Sequence, residues 1–103
     1  MKKTRLQIVD DHPAIHVALS HIMDAAQYHL AASAYCATEA VAQYKTIPID
    51  AVVLDLSLPR HKGETVIDFH RRNKTNVPIL IFTGYCDASR LRQCMKKVLL
   101  VWF

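Results

Sequence analysis

Short apolar blocks alternate along this chain with longer stretches in which apolar side chains recur every three or four positions. Arg5 to Val9, Leu30 to Ala34, Ala51-Val52-Val53-Leu54 and Ile79-Leu80-Ile81-Phe82 have the length of strands. The third is apolar on both faces, as a central parallel strand is. Between the strands, Ile15, Ala18, Leu19, Ile22 and Ala26 mark the inward face of a first helix. It opens at Pro13, whose missing N–H costs nothing in a first turn. Thr38 is the expected N-cap of a second helix, which buries Val41 and Tyr44 and stops at Pro48. A third carries Val66, Ile67 and Phe69, and a fourth, capped by Asp87, carries Leu91, Cys94, Met95 and Val98. This alternation predicts an α/β fold, a doubly wound parallel sheet with helices on both faces. The tail Val98-Leu99-Leu100-Val101-Trp102-Phe103 suits a continued helix or a final strand equally, and it has to pack inward or against another copy.

Polar groups stand where these strands end. Asp10 and Asp11 follow the first, Asp55 closes the third, and Thr83 follows the fourth. In an open parallel sheet the carboxyl ends of neighbouring strands converge on one crevice, so these residues are expected to form a single site. Two carboxylates ~4 Å apart repel by about 4 kcal/mol at an effective dielectric near 20, so the cluster requires a cation or a proton. Mg2+ suits it, taking one or two carboxylates together with water and a phosphate oxygen. Such an ion would hold a phosphoryl donor against Asp55, which can act as a nucleophile. The Thr83 hydroxyl would then donate to the phosphoryl oxygens and bias a loop between two positions.

With 103 residues, 51% hydrophobic and 21% charged, the chain is expected to form one soluble domain over residues 1–103. No apolar stretch has the length of a membrane span, and the short block after Lys2 and Lys3 runs into two aspartates, unlike a signal peptide. A cytoplasmic location without membrane contact is the expectation. The net charge of +4 is scattered in pairs such as Arg71-Arg72 and Lys96-Lys97, so direct nucleic-acid binding is not expected. Cys36, Cys86 and Cys94 have no C-x-x-C spacing and read as reduced, mostly buried thiols. His12 and His16 share one helix face without a third zinc ligand and read as surface residues; His61 and His70 read as solvated.

These motifs resemble the receiver domain of bacterial two-component response regulators. Val9-Asp10-Asp11-His12-Pro13 is similar to the family's acidic pair and first helix, Leu54-Asp55-Leu56-Ser57-Leu58-Pro59 with Gly63 to its phosphoacceptor strand and loop, and Thr83-Gly84 to its switch hydroxyl. The wording is most like the subfamily that carries a LuxR-type DNA-binding domain, an output domain that would lie beyond Phe103. The resemblance implies a flavodoxin-like sheet of order 2-1-3-4(-5), Asp55 as phosphoacceptor, and Mg2+ on Asp11, Asp55 and the Ser57 carbonyl. Asp10 would act through a bound water, and Thr83 as the switch. A sensor histidine kinase is the implied partner, and transcription regulation the implied outcome.

After Lys96 the likeness breaks off. The family continues with a small turn, a fifth strand, a lysine that pairs with the phosphoryl group, and a last helix, whereas no lysine follows Lys97 here. An altered fifth strand would leave Ile79 to Phe82 as an apolar edge, open to homodimer formation through that edge or through the tail. Two other readings compete with a working receiver. One is a degenerate interaction module without phospho-switching. The other is a phosphatase of the haloacid-dehalogenase type, disfavoured because no second aspartate stands two residues after Asp55. Apart from self-phosphorylation and slow dephosphorylation, no turnover chemistry is expected.

Overall fold

The computed structural model describes residues 3–25, 28–81, 89, 92 and 100–102. Five parallel strands form one sheet: β1 (Arg5–Val9), β2 (His29–Ala34), β3 (Ala51–Leu54), β4 (Ile79–Ile81) and β5 (Leu100–Trp102), in the order β2-β1-β3-β4-β5. Helices α1 (Pro13–Ala25), α2 (Ala37–Thr46) and α3 (Lys62–Arg72) connect the first four strands. This is the doubly wound architecture that the alternating pattern predicts.

Each strand sends alternate side chains to opposite faces, and two cores result. On one face Leu6, Ile8 and Val53 pack with Met23, flanked by Leu19, Leu30 and Leu80. On the other, Val9, Val52, Leu54, Ile79 and Ile81 meet Ala37 and Ala40 of α2 and Val66 and Ile67 of α3. Gln7 lies fully buried in this second, otherwise apolar layer. Its amide donates to the Ala40 carbonyl at 2.9 Å and to Gln43 Oε1 at 3.1 Å, while Gln43 Nε2 donates to the Ser33 carbonyl at 2.8 Å. The pair ties β1, β2 and α2 together at one register, because any slip would bury these amides without partners.

The sheet continues through the tail. Ile79 pairs with Leu100, Leu80 with Val101 and Ile81 with Trp102, so β4 is not the bare apolar edge expected from the sequence. Residues 100–102 resolve the choice between helix and strand in favour of the strand, since pairing satisfies the backbone groups that β4 would otherwise leave open. Phe82, Thr83, Gly84, Cys86, Cys94 and the expected helix after Asp87 lie outside the described residues. No helix among the described residues is long and apolar enough to cross a membrane.

Several expectations give way to tertiary contacts. The inward face of α1 is carried by His16, Leu19 and Met23, leaving Ile22 64% and Val17 59% exposed. The stripe is rotated because His16 is drawn inward: its Nε2–H donates at 2.7 Å to the Asp10 carbonyl, and its ring packs on Tyr35 with centroids 4.3 Å apart. Thr38 does not cap α2. The cap position is Cys36, which makes no side-chain bond, and Glu39 Oε1 instead accepts from the Tyr35 N–H at 2.6 Å. Cys36 is exposed, not buried. Ala37 and Ala40 fill the inner face of α2, with Val41 and Tyr44 only half-buried.

His70 is likewise a core residue, not a solvated one. It lies edge-on to Tyr44 and Phe69, and its Nδ1 is 2.8 Å from Thr75 Oγ1. Burial pushes its pKa down to about 4. The loop after β3 is equally constrained: Arg60 has φ 59° and ψ 33°, in the left-handed region that opposes a Cβ. At Gly63 an added Cβ would lie 3.1 Å from the Asp55 carbonyl oxygen and 3.1 Å from Leu56 Cα, so α3 approaches the end of β3 more closely than a side chain allows.

Two predictions follow from this packing. Because His70 titrates near 4 when folded and at 6.5 in the unfolded chain, its contribution is complete above pH 6.5 and declines as pH falls toward 4. Urea melts should show a loss of about 1–2 kcal/mol over that window that is absent in His70→Gln, and parallel pH profiles for the two proteins would refute it. In the β3–α3 loop, Gly63→Ala should destabilise by about 1–2 kcal/mol. Arg60→Gly should stabilise by ~0.5–1 kcal/mol, so that shifts of the same sign in the two melts would contradict the geometry.

Candidate functional site

The winding of the sheet decides where polar chemistry can gather. From β1 the chain passes to β2 on one side and then returns to β3 on the other, so a crevice opens beyond the carboxyl ends of β1 and β3. Val9 pairs with Leu54 across these strands, and the Asp55 N–H donates to the Val9 carbonyl at 3.0 Å. Asp10 and Asp55, each one residue past its strand, are therefore neighbours. Both are nearly buried, whereas Asp11 is exposed at the rim.

Asp10, Asp11, His12 and Asp55 each place one ligand atom within 4.8 Å of all the others. The three carboxylates expected from the sequence thus form one cluster. At that separation each ionised pair repels by about 3–4 kcal/mol at an effective dielectric near 20. Local donors offset part of this. Asp55 Oδ1 accepts from the Ser57 N–H at 2.8 Å and from Ser57 Oγ at 2.6 Å. Asp10 Oδ1 accepts from the His12 N–H at 2.8 Å, and His12 Nδ1 stands 2.8 Å from the same oxygen and 3.1 Å from Asp11 Oδ1. The hydrogen bond to Asp10, followed by the charges of Asp11 and Asp10, raises the imidazole's pKa above its ordinary value.

Both donors from Ser57 to Asp55 fall on Oδ1 and none on Oδ2. The donor chemistry fits a hard divalent ion: three carboxylates within one ion's reach, one of them open to water at the rim. Thr83 lies outside the described residues. Ser57 takes part through its side chain as well as its backbone, by fixing the Asp55 carboxylate.

Two histidines of this site are not recognisable as such in the sequence. His12 is exposed, but it points at the acids instead of standing apart from them, and its place directly after the aspartate pair was the available signal. His16 supports the site from below. Its Nε2–H holds the Asp10 carbonyl, and its Nδ1 is buried without a partner.

Residues 6–99 match the family model of the response regulator receiver domain. The chain is 31% identical over 92 residues to the chemotaxis protein CheY of Thermotoga maritima, covering 89% of this chain and 77% of that protein. It spans less than half the length of most of the curated relatives it matches. Among solved structures, a LuxR-family two-component response regulator from Aurantimonas sp. superposes with a TM-score of 0.84 at 27% identity, covering 97% of this chain and 72% of that one. The response regulator TrrA of Thermotoga maritima, solved in complex with Mg2+ and BeF, superposes with a TM-score of 0.80 at 24% identity, covering 97% of this chain and 86% of that one. With its matched sequence, its 2-1-3-4 parallel order and its acidic crevice between β1 and β3, the chain belongs to the response regulator receiver domains of two-component signalling.

Proposed function

We propose that this domain accepts a phosphoryl group on Asp55 from a sensor histidine kinase, or from a small phosphodonor, with Mg2+ in the acidic crevice. The observation that carries the reading is the setting of Asp55: Ser57 engages its Oδ1 twice, and its carboxylate lies within 4.8 Å of those of Asp10 and Asp11. Oδ2 attacks phosphorus in line, the bond from phosphorus to the donor breaks, and the leaving group departs with that electron pair. An aspartyl phosphate results. Mg2+, when bound, neutralises the carboxylates and the phosphoryl oxygens. Asp11, Asp55 and the Ser57 carbonyl would hold it, with Asp10 acting through water, and Thr83 would read the new oxygens as a hydroxyl donor.

The kinase is recognised by chemistry alone, as a phosphohistidine donor whose phosphoryl group must reach an open crevice. Several relatives of this chain bear names of transcriptional regulators, which supports gene control as the output of the phosphorylated state. A cytoplasmic setting agrees with an exchange between a kinase and a regulator inside the cell.

Intact mass after incubation with Mg2+ and acetyl phosphate tests this reading. A single phosphoryl adduct is expected, lost on chelation of Mg2+ and absent in Asp55→Asn. An adduct that persists in Asp55→Asn, or no adduct in the wild type with Mg2+ bound, would overturn it. In the same experiment Mg2+ should raise the melting temperature of the wild type and not of Asp55→Asn, because the variant removes one of the repelling charges that the ion neutralises.

A further inference from the structure

The sheet holds β1 up to its first acid and releases it one peptide before the second. The Val9–Asp10 peptide is bonded on both sides: the Asp55 N–H donates to the Val9 carbonyl at 3.0 Å, and the Asp10 N–H donates to the Ala34 carbonyl at 3.0 Å. The next peptide, Asp10–Asp11, lies past the last ladder pairs of β1. Its carbonyl is held by a side chain instead, the Nε2–H of His16 at 2.7 Å. With the Asp10 Cα already placed by the sheet, holding this oxygen sets the plane of the peptide, and a planar peptide carries the Asp11 N–H and Cα with it. His16 itself is well anchored. It is 4% exposed, it stands on α1, whose Leu19 and Met23 pack on the sheet, and the Tyr35 ring lies against it with centroids 4.3 Å apart.

Packing alone does not account for a histidine at this place. Its Nδ1 is buried without a hydrogen-bond partner among the described residues, a cost that an apolar side chain of similar volume avoids. What the ring adds over leucine is the single bond made by its other nitrogen. We propose that His16 is a positioning residue for the cation site: from α1 it orients the Asp10–Asp11 peptide and so holds the Asp11 carboxylate beside that of Asp55. The proposal rests on the reading of the crevice as a Mg2+ site and adds to it a residue that touches neither the ion nor the phosphoryl group. Without the bond, the Asp10–Asp11 peptide is free to turn, and an arriving ion has to order Asp11 at the expense of its own affinity. Tyr35 belongs to the same device, since its ring restricts rotation of the imidazole.

The test compares the wild-type chain with His16→Gln, His16→Asn, His16→Leu, Tyr35→Ala and Asp55→Asn. The amide nitrogen of Gln reaches the place of Nε2, that of Asn only the place of Nδ1, and Leu fills the space without a donor. Nitrogen-15 NMR reads the Asp11 amide in the metal-free protein, and its shift on addition of Mg2+ gives the affinity. His16→Leu and His16→Asn should bind Mg2+ ~10-fold more weakly, the scale found for partners that orient metal ligands from outside the coordination sphere, with the Asp11 amide signal already displaced before the ion is added. His16→Gln should recover most of the affinity, and Tyr35→Ala should fall between. If His16→Leu does not fold, the Gln and Asn pair decides alone. Equal Mg2+ affinity in the wild type and His16→Leu, or His16→Gln no better than His16→Asn, would overturn the role of His16 while leaving the cation site intact. Unchanged Mg2+ affinity in Asp55→Asn would place the ion elsewhere and end both readings.

Discussion

Like charges forced into one crevice are the constraint around which this domain is organised. β1 and β3 run parallel with Val9 opposite Leu54, so the next residue of each strand, Asp10 and Asp55, arrives at the same place. Ordinary folding energetics would disperse such carboxylates, since their repulsion is a sizeable part of the 5–15 kcal/mol that stabilises a typical domain. The structure instead concentrates them and surrounds them with donors that tolerate an ion: two from Ser57 to Asp55, two from His12 to Asp10. Repulsion among the carboxylates is the kind of strain that a cation in the crevice would relieve.

Holding that arrangement falls to the packing behind it. Val9 and Leu54, fully buried, anchor the two strand ends in the core shared with α2 and α3, and Leu56 continues the same core past Asp55. Gly63 lets α3 close on the Asp55 and Leu56 backbone, and His16 fixes the Asp10 carbonyl from α1. Both helices thus touch the backbone that carries the acids, one from each face of the sheet. At the opposite end of β1 and β3, Arg5 grips Asp50 with two guanidinium contacts of 3.0 Å; the Arg5 N–H donates to Asp50 Oδ2 at 2.8 Å, and the Asp50 N–H donates to the Arg5 carbonyl at 2.8 Å. The register between the two strands is therefore set at both ends, and with it the spacing of the carboxylates.

The strand Leu100–Trp102 shows how an ambiguous apolar segment is resolved. Its six-residue setting has neither a clear helical period nor polar alternation. What selects the strand is the row of backbone donors and acceptors on β4, whose side chains Ile79 and Ile81 are already buried in the core. A partner for that row is worth more than a continued helix turn, because an open parallel edge leaves hydrogen-bonding groups unsatisfied next to apolar surface.

The sequence alone determined the first four strands, their parallel winding and the meeting of Asp10, Asp11 and Asp55, because period, strand length and placement after an apolar run are local properties that survive in any tertiary setting. Residue type read without neighbours misled at His16, His70 and Cys36, and at the phase of α1. Histidine is amphipathic, and whether it enters a core depends on a carbonyl or hydroxyl waiting there, such as that of Asp10 or Thr75, which no local pattern encodes. Tertiary structure alone decided these burials, the pairing of the tail with β4, and the turn of His12 toward the acids, since each depends on groups far apart in the chain or on a ring orientation that spacing does not fix.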